Sequence, residues 1–84
     1  MNIVVRNPIK LDCGTLLSRH LQIRLHHMNI NHSGFPEHIM IQPIVIPCNL
    51  EKFNELMDMI ATHSNETFSL THRSSGYYNL DAIE

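Results

Sequence analysis

Seven histidines and two cysteines are the side chains of this 84-residue chain that could bind a transition metal or act as nucleophile and base. The nearest approach to a ligand set is Cys13, His20 and Cys48, but a structural zinc site uses four ligands at regular spacings. The same residues, with Asp12 to orient the imidazole, could form a thiol enzyme, yet no oxyanion motif accompanies them. The sequence therefore predicts neither a metal site nor a catalytic centre.

Cofactor-binding signatures are missing as well. The chain has no glycine-rich phosphate loop, no His-Glu-x-x-His and no Gly-x-Ser-x-Gly, so no cofactor is expected. No apolar run reaches the ~20 residues that cross a bilayer, and the first residues do not form a secretory signal. We expect a cytoplasmic protein without membrane association, in which Cys13 and Cys48 are free thiols.

The composition is that of one soluble domain. The chain is 43% hydrophobic and 17% charged, a balance suited to folding around one core, and its length leaves no room for a second. We expect a single compact domain over residues 1–84.

The sequence predicts two elements clearly, a first strand and a helix. Ile3–Val5, followed by Ile9 and Leu11, predicts a strand that is kinked or bulged at Pro8. Asn49 is a good N-cap for a helix over about 50–62. The apolar stripe predicted for that helix is Leu50, Phe53, Leu56, Met57 and Ile60.

The C-terminal segment predicts a hairpin. Thr67–His72 alternates as a strand does, and Ser74–Gly76 supplies turn residues before Tyr77–Leu80. Neighbouring strand residues point to opposite faces, so we expect one tyrosine of Tyr77 and Tyr78 in the core and the other at the surface.

Residues 15–28 fit two patterns. Helical spacing relates Leu17, Leu21, Leu25 and Met28. Leu21, Ile23 and Leu25 also alternate with polar residues, as in a half-buried strand. One stretch cannot adopt both structures.

A register argument favours the strand. A hairpin closed by the turn at 31–36 would place Leu21, Ile23 and Leu25 opposite Ile46, Ile44 and Gln42. One face of that hairpin is then almost wholly apolar. We therefore predict a helical turn near Thr15–Arg19 and a strand from about Leu21 to Ile30, with a helix over Thr15–His27 as the alternative.

The segment Ile39–Ile46 is nearly continuous in apolar residues, which is typical of a strand covered on both faces. Pro43 cannot donate to a ladder, so it must face an unpaired edge or lie in a bulge. An apolar edge of this kind recruits a partner strand or a second copy of the chain. The sequence thus predicts a possible homodimer through an exposed strand edge.

Together these elements predict an α+β fold. One small antiparallel sheet would carry the helix at about 50–62 on one face. A ferredoxin-like arrangement is the named fold whose element order is nearest.

Charge is unevenly distributed along the chain. Residues 1–48 hold four Lys or Arg and two Asp or Glu, and residues 49–84 hold two and six, so their formal charges are +2 and −4. Five of the seven histidines lie in the first part. Such asymmetry favours oriented docking on a charged partner.

Without reaction chemistry to assign, we expect a non-catalytic module that acts by binding another macromolecule, most simply a protein. The short chain and the lack of catalytic motifs suit an accessory protein of a phage or mobile element, such as an inhibitor of a host defence complex. The predicted contact residues are Glu51, Glu55 and Asp58 on the acidic helix face, and His32, Phe35, Pro43, Arg73, Tyr77 and Tyr78 on an exposed tip or edge.

Nucleic-acid binding is the alternative function. Four arginines could join the tyrosines and histidines on a cationic sheet surface: Arg6, Arg19, Arg24 and Arg73. The net charge of −2 opposes this interpretation, because counterion-release binding needs a basic footprint. A His/Cys metal-binding protein is the weaker third hypothesis.

Overall fold

The computed structural model describes residues 1–83, which form two helices and seven short strands. In chain order the elements are β1 (Asn2–Val5), β2 (Ile9–Asp12), α1 (Gly14–His27), β3 (His32–Gly34), β4 (His38–Ile41), β5 (Ile44–Pro47), α2 (Leu50–His63), β6 (Phe68–Ser74) and β7 (Tyr77–Ala82). The predicted α+β class is confirmed.

A bent two-stranded ribbon forms the centre of the fold. β1 pairs with β5 and β2 pairs with β4, both antiparallel, and the ribbon breaks where Arg6–Pro8 faces Gln42–Pro43. Proline has no N–H to donate, so a ladder ends or bulges where two prolines meet. The predicted kink at Pro8 is confirmed. Pro43, which we predicted at an unpaired edge or in a bulge of one strand, instead separates β4 from β5.

The break divides the strands into two sheets. One has the order β5-β1-β7-β6 and the other the order β2-β4-β3. β1 and β7 are parallel, and the other pairs are antiparallel. We can count β1 with β2 as one bent strand and β4 with β5 as another. The element order through β6 is then β-α-β-β-α-β, as in a ferredoxin-like arrangement. β7 is an addition to that order, inserted between β1 and β6.

The segment predicted as a strand over Leu21–Ile30 is helical as far as His27, so that prediction and its hairpin register are wrong. The predicted partners Ile44 and Ile46 lie in β5 and pair instead with Val5 and Ile3 of β1. Ser18, Leu21 and Leu25 are buried on one face of α1, whereas Ile23 is 50% exposed. The helical alternative had the correct spacing, and the alternation through Ile23 was coincidental.

The end of α1 explains why the helix stops where it does. Asn29 adopts a left-handed φ of 56°. The Asn29 N–H donates to the His26 carbonyl at 3.0 Å, and the Ile30 N–H donates to the Leu25 carbonyl at 2.9 Å. These two bonds are the Schellman motif, in which Asn is the usual substitute for Gly. Leu25 and Ile30 are both buried beside it.

Helix α2 confirms the prediction for residues 50–62. The Asn49 side chain accepts a hydrogen bond from the Lys52 N–H at 2.8 Å, as an N-cap does. Leu56, Met59 and Ile60 are buried. Leu50, which we predicted in the apolar stripe, is 70% exposed because it lies on the first turn, beyond the edge of the core.

The C-terminal hairpin is also confirmed. Gly76 has a φ of 77°, which favours glycine in the turn between β6 and β7. Tyr78 packs against the core and its ring meets that of His72 at 5.3 Å, whereas Tyr77 is exposed. A bulge between His72 and Ser74 includes Arg73.

One apolar layer lies between the strands and the two helices. Buried side chains from β1, β2, β4, β5 and β7 face those of α1 and α2. The shortest dimension of the molecule is 18 Å, which is the thickness of one sheet and one helix layer. Val45 is 45% exposed on the other side, so the prediction that residues 39–46 are covered on both faces is wrong.

Neither 14-residue helix among the described residues is long and apolar enough to cross a membrane.

The difference in exposure between Leu25 and Ile23 allows the helical assignment of α1 to be tested by mutation. We expect Leu25→Ala to lower the free energy of unfolding by about 2–5 kcal/mol, because Leu25 is fully buried. We expect Ile23→Ala to change it by no more than about 0.5 kcal/mol, as at other surface positions. Urea denaturation measures both values, and equal losses would contradict the helix.

Candidate functional site

The solvent side of α1 carries apolar and cationic side chains together. We call Leu16, Arg19, His20, Ile23 and His27 the α1 outer face. These residues follow one another at helical spacing, so they share one side of the helix. Leu16 is 88% exposed and Ile23 is 50% exposed, which leaves two large aliphatic side chains in water on this face.

The opposite side of α1 is held firmly by the β3–β4 turn. The buried Ser18 hydroxyl donates to the Phe35 carbonyl at 3.1 Å, and the Gln22 amide donates to the Ser18 hydroxyl at 3.1 Å. At the helix start, the Gly14 N–H donates to the Glu37 carbonyl at 3.0 Å. These bonds, together with the buried leucines, fix which residues of α1 face solvent.

α1 is a cationic helix. It contains Arg19, Arg24 and three histidines, and no Asp or Glu. Arg24 is paired with Glu55 of α2, with Nε and Oε1 3.2 Å apart. Among residues 1–83 no carboxylate is paired with Arg19. The Arg19 guanidinium is therefore available to bind a carboxylate of a partner.

The three acidic residues predicted on α2 differ in their surroundings. Glu51 and Asp58 are exposed, but Glu55 is half-buried and binds Arg24 across the two helices. The charge asymmetry of the sequence thus appears in the fold as a basic α1 and an acidic α2, which one ion pair joins. Glu55 has a structural partner within the chain, so it is less available to another molecule.

The other predicted contact residues are spread over the molecule. His32 lies in β3, with Nδ1 2.9 Å from the Ile30 carbonyl oxygen. Phe35 is exposed in the following turn, and its ring stacks on His38 with centroids 4.6 Å apart. Pro43 is exposed at the ribbon break. Arg73 lies at the hairpin bulge, with Tyr77 and Tyr78 on opposite faces of the neighbouring strand.

The cationic sheet surface proposed for nucleic acid is not assembled. Arg19 and Arg24 lie on a helix. Arg6 makes a two-pronged ion pair with Asp81, with nitrogen–oxygen distances of 3.0 and 2.6 Å. Arg73 lies at the bulge of β6, between His72 and Ser74. Two of the four arginines are therefore paired with carboxylates of the chain itself.

The uncovered face of the larger sheet is a second open surface. Its register places Val4 beside Val45 on one side and Asn79 on the other, with Thr71 beyond Asn79. The side-chain oxygen of Asn79 is buried and has no hydrogen-bond partner among residues 1–83. These four side chains are uncharged, so this face gives no indication of the chemistry of a partner.

The predicted metal and thiol site is dispersed. Cys13 precedes α1, His20 is on the α1 outer face, and Cys48 lies beside the first residue, since its N–H donates to the Met1 carbonyl at 2.8 Å. Nowhere in residues 1–83 do three His, Cys, Asp or Glu side chains converge to hold a metal ion. The two cysteines are free thiols.

One cleft in the described part of the chain brings charged side chains together. It has a volume of about 440 Å³ and lies between the segment Arg6–Pro8 and the ends of β6 and β7, and its lining includes Glu66, Phe68 and Asp81. Asp81 is already bound by Arg6 there.

Comparisons of the chain with protein-family models, with curated proteins and with solved structures gave no match. The geometry and chemistry of the surface are therefore the basis for inferring function.

Sequence reasoning missed the α1 outer face because the segment was interpreted as a strand. The signal was present: on a helical projection Leu16 and Ile23 lie opposite the buried Ser18, Leu21 and Leu25. A helix needs only one apolar face to pack against its own core. An apolar pair on the opposite side therefore indicates a surface for contact with another molecule.

The cysteines provide a test of thiol chemistry. Burial raises the pKa of the Cys13 thiol and of the Cys48 thiol, the latter despite the nearby cations of Lys52 and the N-terminal amine. A raised pKa leaves both sulfurs protonated at neutral pH, and only the thiolate is nucleophilic. We expect slow alkylation by iodoacetamide at pH 7 that accelerates as the pH rises, with Cys48 slower than Cys13. Rapid labelling of native protein at pH 7 would indicate an activated nucleophile.

Proposed function

We propose that the protein is a small interaction module that binds an acidic, apolar segment of a partner protein through the α1 outer face. The observation that carries this proposal is the exposure of Leu16 and Ile23 on one side of a helix with no acidic residue. The module acts by contact and does not catalyse a reaction.

The energetic argument begins with the aliphatic side chains. Transferring a Leu or Ile side chain from water to a protein interior contributes about 1.5–3 kcal/mol. Leu16 and Ile23 are two turns apart on the same side of α1, as the anchors of a helix-mediated interface are. An interface centred on them gains apolar burial that the isolated chain does not have.

Charge determines the kind of partner. Arg19 lies on the α1 outer face and has no carboxylate partner in the described part of the chain. Arginine pairs with carboxylates in a two-pronged geometry and is frequent among residues that dominate interface energies. A partner segment with Asp or Glu around apolar anchors complements this arrangement. Acidic segments also reach a cationic face faster than neutral ones.

The same residues favour protein over nucleic acid. Phosphate groups gain nothing from exposed Leu16 and Ile23, and the α1 outer face lacks Phe, Tyr and Trp for base stacking. Arg6 and Arg24 are occupied by Asp81 and Glu55. The module then acts by covering a functional surface of its partner, as an inhibitor of a host complex does.

Affinity capture from native lysate tests this proposal with three variants. We expect Leu16→Asp and Ile23→Asp each to reduce recovery of the specific partner about tenfold to a hundredfold, because each removes apolar burial and adds repulsion from an acidic segment. Leu50→Asp is the matched control, since Leu50 is also a highly exposed leucine at the start of a helix. That control should retain the partner.

Cross-linking to the captured partner identifies the segment that faces α1, and we expect it to be rich in Asp and Glu. Equal recovery with the wild type and with Leu16→Asp would contradict the proposal. Recovery that disappears after nuclease treatment, or a mobility shift with RNA or DNA, would instead support the nucleic-acid alternative.

A further inference from the structure

Four strands have an edge without a neighbouring strand in residues 1–83, and three of these edges are protected. β5 follows Pro43 and contains Pro47, which cannot donate a hydrogen bond. β2 is flanked by the loop after α2, where the Asn65 amide donates to the Asp12 carboxylate at 2.8 Å. β3 has three residues, too few for an extended ladder. Proteins use such features to prevent unwanted strand pairing.

The edge of β6 has little of this protection. β6 is seven residues long and is the outermost strand of its sheet. It contains no Pro, Lys, Asp or Glu. Its bulge lies between His72 and Ser74, so Phe68–His72 is regular strand. The Leu70 side chain, on the face that packs toward the helices, is 39% exposed.

The sequence of β6 is self-complementary about Leu70. In an antiparallel pair of two β6 strands centred there, Leu70 meets Leu70, Phe68 meets His72 and Ser69 meets Thr71. These are an aliphatic pair, an aromatic pair and a hydroxyl pair, and each kind stabilises neighbouring strands. The arrangement brings no two like charges together within Phe68–His72.

We infer that the β6 edge binds the β6 edge of a second copy of this chain. The two four-stranded sheets then form one eight-stranded sheet with a two-fold axis at Leu70. A symmetric contact of this kind uses the same patch on both copies and closes after two chains. It also covers two side chains that the isolated chain leaves partly exposed, Phe68 and Leu70.

The symmetry has a geometric consequence. Residues directly opposite in a ladder point to the same face of a sheet. Leu70 is on the helix side of β6, because its partner Leu80 is in the core. Both copies would thus carry their helices on the same side of the joined sheet, with two α1 outer faces available to partners.

Sedimentation equilibrium over a range of concentrations tests the inference. We expect a monomer–dimer equilibrium for the wild type, and at least a tenfold weaker dimer for Leu70→Lys, which places two lysines opposite each other at the axis. Thr71→Lys is the control on the same strand, because Thr71 points to the other face and meets Ser69. Its dimer should be weakened less than that of Leu70→Lys.

A second measurement uses the unaltered protein, in case Leu70→Lys does not fold. Amide hydrogen exchange at low and high protein concentration should slow several-fold in β6 as concentration rises, with no change in α1. A wild-type monomer at all concentrations, or exchange in β6 that is independent of concentration, would overturn the inference. Leu16→Asp should still dimerise, so the two surfaces are tested separately.

Discussion

The fold depends on one apolar layer between a bent ribbon of strands and two helices. Ile3, Val5, Ile9 and Leu11 alternate along the ribbon so that all four face the helices, and the break at Pro8 preserves this direction. Because a chain of this size buries a modest fraction of its surface, it has only one layer to stabilise it. The α1 outer face and the uncovered face of the larger sheet are sides of elements that this layer does not use.

The sequence was sufficient to predict elements whose local signals agree. Asn49 with an amphipathic stripe predicts α2, and turn residues around Gly76 between alternating segments predict the hairpin. The lack of an N–H alone predicts a kink or bulge at Pro8. In each case a local chemical requirement and the hydrophobic pattern lead to the same structure.

The sequence was insufficient where two patterns overlapped or where pairing is long-range. Leu21, Ile23 and Leu25 satisfy strand alternation, and only the capping bonds at Asn29, together with packing on β3 and β4, select the helix. The parallel pairing of β1 with β7 joins residues over seventy positions apart, for which no local signal exists. The candidate surface on α1 was missed for the same reason, since it exists only once the helix is known.

The central position of β1 affects how the chain folds. β1 is the first strand of the described chain, yet its neighbours are β5 and β7, so one of its two edges stays open until residues 77–82 are available. Contacts between distant residues form slowly because the loop entropy must be lost first. During synthesis, the β1 edge that pairs with β7 therefore stays unpaired until residues 77–82 have emerged.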